Sequence, residues 1–290
     1  MPRIAYVNGR YVPHSAAVIH IEDRGFQFAD SAYEVIALMN GRFADETGHL
    51  DRLERSLGEL KISLPLPRKA LQLVLREFVR RNRLKNASVY IQITRGVAPR
   101  DFKFPDHIKS TVVMAIRPAK FGKLVARKAV TVPDIRWKRR DIKSTALLAQ
   151  VLAKQAAVEK GAYEAFMLED GGFITEGSST NVWIVDKDNN LITRSTQGNM
   201  ILKGVTRNAL QALCKKEKIK IIERSFTAKE AYRAAEVFTT AAVSLVTPIV
   251  EIDGQKIGDG KIGAMTSKIL DLYLAYATDP KQKQEHWRYR

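Results

Sequence analysis

The chain has one cysteine, Cys214, so an internal disulfide is impossible and the composition suits a reducing cytoplasm. No apolar run approaches the ~18 residues of a membrane span, so no membrane partner is expected. The start, MPRIAYVNGRYVPHS, lacks the apolar segment and cleavage site of a secretory signal. Histidine is sparse as well. His14, His20, His49, His107 and His286 lie far apart, without metal-ligand spacing, so no metal site is expected. Neither the phosphate-cradling G-x-x-x-x-G-K-[ST] nor the nucleophile elbow G-x-S-x-G occurs. Gly258, Gly260 and Gly263 in GDGKIG do fit G-x-G-x-x-G. They follow a hairpin-like stretch, VEIDGQKI, rather than a strand entering a helix, so they read as a turn.

Acidic residues are outnumbered: 31 against 48 lysines and arginines, a net charge of +17. The basic residues are interleaved with apolar ones, as in REFVRRNRLK and CKKEKIKIIER, which is the pattern of a solvated face. No nucleic-acid motif accompanies them, so no nucleic-acid partner is expected; a basic nucleic-acid-binding protein is the alternative from another functional class.

A length of 290 residues allows two cored domains. Asn8-Gly9 and Asn40-Gly41 each join two β-rich runs as hairpin turns. Leu50, Leu53, Leu57 and Leu60 recur at helical spacing, and RKALQLVLREFVRRN reads as a second amphipathic helix. SVYIQIT and TVVMAIRP read as strands. The pattern loosens around AKFGK, which predicts a small N-terminal α+β domain over 1–120 and a larger β-rich domain with helices over 121–290. In the latter, helices are predicted from Thr145 to about Lys160, across GVTRNALQALCKKEK and across GAMTSKILDLYLAYA, with the tail DPKQKQEHWRYR frayed.

Three polar clusters remain: Lys143 in KRRDIKSTALL, Glu176 in TEGSSTN, and Val205-Thr206 where a helix opens. Alone, each has a plain reading as a surface lysine, a strand-edge carboxylate, or an N-cap supplied by Thr206. Together they match one ligand, pyridoxal 5′-phosphate (PLP). It needs an amine to hold its aldehyde, an acid for its ring nitrogen and anion donors for its phosphate. The arginines beside Lys143 are expected to help keep its amine neutral.

Seven ordered stretches then resemble the class IV, fold-type IV PLP aminotransferases, and among them most closely the D-amino-acid aminotransferases. These are EDRGFQFADSAYEV, HLDRL, TRGVAPRDFKFP, DIRWKRRDIKS, AYEAFMLEDGGFITEGSSTNVW, NMILKGVTR and TPIVEIDGQKIGDGKIG. The resemblance implies that fold, a cofactor lying between the domains, and a homodimer in which a partner loop completes the substrate pocket. It implies Lys143 as Schiff-base lysine and proton shuttle, Glu176 at the ring nitrogen, and Arg52 with Val205 and Thr206 at the phosphate. Ser179 and Thr180 would line the cofactor and Leu202 would pack on its ring.

On the substrate side it implies Tyr33 and Arg100 as carboxylate anchors. Phe102 stands where D-specific relatives place a histidine, and Ala242 where they often place a phosphate-touching threonine; only the backbone N–H of Ala242 is left to bind. The implied activity is ping-pong transfer of an amino group from a D-amino acid to a 2-oxo acid, with 2-oxoglutarate giving D-glutamate. The missing histidine leaves (R)-amine transamination open. Branched-chain L-aminotransferases and lyases of the aminodeoxychorismate type share the fold and the lysine.

Overall fold

In the computed structural model, which describes residues 3–279, both Asn-Gly pairs turn the chain back on itself. Asn8 and Gly9 sit at φ 45° and 88°, Asn40 and Gly41 at 50° and 81°, the left-handed pairs of a type I′ turn. The tail beyond residue 279 lies outside the described residues. By contacts the chain forms two units: residues 3–120 with Ile142–Ala146, and Phe121–Asp141 with residues 147–279. The architecture is mixed α and β in both.

The first unit holds β1 (Ile4–Val7), β2 (Arg10–Pro13), a short α1 (Arg24–Phe28), β3 (Ser31–Met39) and β4 (Arg42–Phe43). After these come α2 (Glu46–Glu59), α3 (Arg68–Asn82), β5 (Ala87–Thr94) and β6 (Thr111–Pro118). The strands make one antiparallel sheet in the order β2-β1-β6-β5-β3-β4. One face carries the core: Ile36 and Leu38 of β3 and Val89, Ile91 and Ile93 of β5 meet Leu50, Leu53 and Leu57 of α2 and Leu71, Leu75 and Phe78 of α3. The alternation of β5 follows from the two-residue strand period. Val89 and Ile91 are buried, while Tyr90 and Gln92 face the other side with Tyr33, half-buried.

The second unit begins with β7 (Arg127–Pro133), α4 (Leu148–Glu159), β8 (Glu164–Glu169), β9 (Phe173–Gly177), β10 (Asn181–Val185) and β11 (Leu191–Thr193). It continues with α5 (Val205–Lys216), β12 (Ile221–Glu223), α6 (Ala228–Tyr232), β13 (Glu236–Ala241), β14 (Leu245–Ile252), β15 (Gln255–Lys256) and α7 (Ala264–Thr278). Its sheet runs β12-β11-β10-β13-β14-β7-β8-β9, with β15 paired to β14. The strand pairs β11–β12, β14–β7 and β7–β8 are parallel.

Helix α4 starts at Leu148, three residues after the predicted Thr145. Ser144 forms an antiparallel bridge with Ala32 and Thr145 donates its N–H to Ser31, so backbone pairing overrides helix propensity there. The GDGKIG stretch is a turn, with Gly258 and Gly260 at φ 55° and 79°. The helix start that follows is filled by the protein's own anion: the Glu236 carboxylate accepts from the backbone N–H of Met265 (2.9 Å) and Thr266 (2.7 Å). A Cβ on Gly263 would lie 1.9 Å from Cδ of Glu236. Among the described residues no helix is long and apolar enough to cross a membrane.

Candidate active site

Within the first unit, residues 142–146 run as an extra rung along β3. Tyr33 N–H donates to the Lys143 carbonyl (3.0 Å), and Lys143 N–H donates to Ser56 Oγ (3.2 Å). The pairing sets Lys143 opposite Tyr33, with Nζ 4.1 Å from the tyrosine ring centroid. That is cation–π distance, and it holds the amine over an aromatic face. The structure thus brings together two residues 110 positions apart that are expected to handle substrate and cofactor.

One residue along β3, on the opposite face, Glu34 is fully buried. Arg52 donates Nε and Nη2 to its two oxygens (2.6 and 2.8 Å), and His49 Nδ1 lies 2.7 Å from Oε2. Burial alone would raise the Glu34 pKa, but the charge and hydrogen bonds of Arg52, reinforced by His49, bring it down to about 2. Arg52 therefore stands as a cation oriented by a charge-assisted pair. Sequence reading missed Glu34 and His49, although His49 and Arg52 in HLDRL are three residues apart and share a helix face.

Arg100 and Phe102 lie on the exposed loop after β5. The Arg100 guanidinium is 5.2 Å from the Phe28 ring and 5.7 Å from the Phe102 ring, and Phe102 is 80% exposed. The loop is tied down between them: Arg24 Nη1 donates to the Asp101 carbonyl (2.6 Å), and Arg24 and Arg95 both grip Asp30.

In the second unit, Glu176 is the penultimate residue of β9 and a buried carboxylate. Its Oε1 accepts from Asn181 Nδ2 (2.9 Å) and from Leu202 N–H (3.0 Å); its Oε2 takes a hydrogen bond from Arg136. Burial pushes the Glu176 pKa up, and the opposing pull of Arg136 does not fully offset it. Arg136 is itself clamped by Asp134 (2.8 and 3.0 Å) and by Thr175 Oγ1 (3.2 Å), and its pKa is held above the ordinary value despite burial. Arg136, Asp134 and Asn181 were legible only as parts of the DIRW and STN stretches. Arg139 pairs with Asp141 (3.0 Å) and Arg140 with Asp134 (3.4 Å), so the cationic surroundings expected for Lys143 are largely answered by acidic neighbours.

The TEGSSTN hydroxyls divide. Ser178 and Thr180 are both buried on Glu164, Thr180 Oγ1 at 2.9 Å, and that carboxylate also accepts Ser178 N–H (3.0 Å). Ser179 is exposed. Leu202 is half-buried, and its carbonyl accepts from Asn181 Nδ2 (3.0 Å). Val205 and Thr206 open α5, where the N-cap Gly204 supplies no side-chain cap. Thr206 Oγ1 is buried without a hydrogen-bond partner. An orphaned hydroxyl beside open helix N–H groups is the donor set that an anion would complete. Ala242 sits in the β13–β14 turn, and Ser244 Oγ of the same turn is also buried and unpartnered.

The family described as amino-transferase class IV matches residues 31–252. The D-alanine aminotransferase of Staphylococcus haemolyticus is 38% identical over 280 residues, spanning 93% of this chain and 96% of its own. That of Listeria innocua is 36% identical over 274 residues, spanning 92% and 94%. The Escherichia coli branched-chain amino acid aminotransferase superposes with a TM-score of 0.91 at 23% identity, covering 99% of this chain and 98% of its own. The T.th. branched-chain amino acid aminotransferase solved with pyridoxamine 5′-phosphate gives 0.88 at 23%, over 99% and 98%. Structural likeness at identities this low speaks for the fold alone.

The chain belongs to the class IV aminotransferases. PLP is the cofactor of that class and of this chain, and the unpartnered Thr206 hydroxyl at an uncapped helix start fits its phosphate.

Proposed function

We propose that the chain transfers amino groups between D-amino acids and 2-oxo acids by a ping-pong exchange, with 2-oxoglutarate as acceptor and D-glutamate as product. The observation carrying this reading is the placement of the Lys143 amine on the Tyr33 ring at 4.1 Å, in a chain whose D-alanine aminotransferase relatives match along more than nine-tenths of its length. When bound, PLP supplies an electron-withdrawing ring for the substrate Cα and a carbon that carries the amino group. Lys143 would hold the cofactor covalently and, with its amine freed, would take the proton from substrate Cα and return it to the carbon that carries the amino group. Glu176, held by Asn181, Leu202 and Arg136, presents a carboxylate to the ring nitrogen and keeps a proton there. Thr206 Oγ1 and the first N–H groups of α5 donate to the phosphate, joined by the Arg52 guanidinium. Ser179, Thr180 and Leu202 surround the ring, and the Ala242 backbone N–H adds a donor.

Tyr33 and Arg100 hold the substrate carboxylate. Phe102 adds no donor, so the carboxylate rests on fewer hydrogen bonds than a histidine would allow. The enzyme works in the cytoplasm as a homodimer. Supporting an assembly, Leu148, Val151, Leu152 and Val158 of α4 are all exposed, an apolar face that a monomer seldom leaves to water.

A donor panel with 2-oxoglutarate tests the activity. D-alanine should turn over and L-leucine should not; preferential turnover of L-leucine would overturn the reading, and (R)-1-phenylethylamine as the better donor would move it to the amine transaminases.

A further inference from the structure

The segment carrying Lys143 is attached to β3 by little backbone. Only the Ala32–Ser144 bridge is formed, flanked by Tyr33 N–H to Lys143 O (3.0 Å) and Thr145 N–H to Ser31 O (3.2 Å). In this antiparallel pairing Tyr33 opposes Lys143 and Ser31 opposes Thr145, all on one face because residues i and i+2 share a side. A slip of one residue would turn Lys143 to the opposite face. Two backbone bonds are a weak guard against that slip.

Side chains add a second guard. Ser31 Oγ and Thr145 Oγ1 lie 2.5 Å apart, and Gln92 Nε2 donates to Ser31 Oγ (3.1 Å). Tyr90 OH donates to Gln92 Oε1 (2.8 Å), and Thr145 Oγ1 donates to the Ala29 carbonyl (3.3 Å). The proton directions have one solution. An amide nitrogen only donates and an amide oxygen only accepts, so Tyr90 donates to Gln92 and Gln92 to Ser31. Thr145 spends its one proton on the Ala29 carbonyl, so in the contact between the two hydroxyls Ser31 is the donor. Burial, with Tyr33 nearby, pushes the Tyr90 phenol up to about 12, so the first donor stays protonated in the working pH range. Ala29 is held at φ 54°, and its carbonyl also accepts Ser31 N–H (2.8 Å), which closes the chain.

We propose that Ser31 and Thr145 form a positioning latch, braced by Gln92 and Tyr90, that sets the register of the Lys143 amine against Tyr33. Neither hydroxyl acts on substrate; both act through Lys143. The inference rests on Lys143 being the covalent anchor of the cofactor.

The test follows attachment of PLP to purified apoenzyme by visible absorbance, with borohydride reduction and peptide mapping to locate the bond. In the unsubstituted protein the label should fall on Lys143; a label elsewhere removes the underlying reading itself. Thr145→Val keeps the shape and deletes the hydroxyl. It should slow attachment and lower kcat by roughly tenfold or more, while the donor KM stays within about twofold, as misplacement of one reacting group requires. Thr145→Ser should restore both. Ser31→Ala should match Thr145→Val, and the double variant should be no slower than either, since the two hydroxyls act through one contact. Attachment at the normal rate in Thr145→Val, no rescue by serine, or multiplied losses in the double variant would each overturn the latch while leaving Lys143 in place. Should Thr145→Val not fold, Ser31→Ala alone is read by the same criteria.

Discussion

Arg52 and Glu34 form a buried two-point pair, Nε to Oε1 at 2.6 Å and Nη2 to Oε2 at 2.8 Å, with the carboxylate wholly out of solvent. Such a pair costs desolvation to build, and it is far more costly to break on one side only. It makes Arg52 an oriented cation before any ligand arrives.

Stability should follow from Glu34 with a definite sign. Its folded pKa, about 2, lies below the ordinary 4.5, so its contribution is present in full above pH 4.5 and is lost as the pH falls toward 2. A shift of that size corresponds to about 3 kcal/mol. Urea unfolding of the apoenzyme should show Glu34→Gln destabilised by roughly that amount at pH 7, with the gap to the unsubstituted protein narrowing on acidification. An unchanged gap at pH 3 would mean that packing, not charge, makes Glu34 matter.

Arg136 should control cofactor retention through Glu176. With Arg136→Met the Glu176 carboxylate loses its one cationic partner among the contacts described above, and burial drives it further toward the neutral acid. PLP affinity should drop by roughly tenfold, and Arg136→Lys should recover only part, because an ammonium cannot reproduce the fork shared by Asp134 and Glu176. Equilibrium dialysis decides this; full affinity in Arg136→Met would make the arginine a scaffold residue.

Lys143→Ala should abolish turnover by at least ~10²–10⁴-fold, the range that a positioned proton-transfer group contributes. The variant should still take up PLP through the donors proposed for its phosphate at the start of α5, without a borohydride-stable bond. Mass analysis of the reduced protein is the readout, and a surviving covalent adduct would assign the role to another lysine.

Arg100→Ala should raise the KM for D-alanine by roughly tenfold to a hundredfold, the loss expected for a charged hydrogen-bond donor. The KM for (R)-1-phenylethylamine, which has no carboxylate, should hardly move. Equal changes for both donors would mark Arg100 as a loop-packing residue on Phe28 and Phe102.

The sequence by itself determined the local elements. Asn8-Gly9 and Asn40-Gly41 permit the left-handed pair of a tight hairpin, the leucine spacing of α2 admits one buried face, and RKALQLVLREFVRRN is helical from end to end. Those signals are short-range, set by φ preferences and side-chain period, and need no knowledge of distant partners. The chemical types at Lys143, Glu176 and Thr206 were also readable. Their environments were decided only by tertiary structure. Thr145, read as helical, lies outside the helix because β3 offers it a backbone partner more than a hundred residues earlier. Thr180 serves Glu164, Arg140 answers Asp134, and Glu34 with His49 orients Arg52. Each depends on burial and on contacts between segments remote in the chain, and spacing along a sequence carries no record of either.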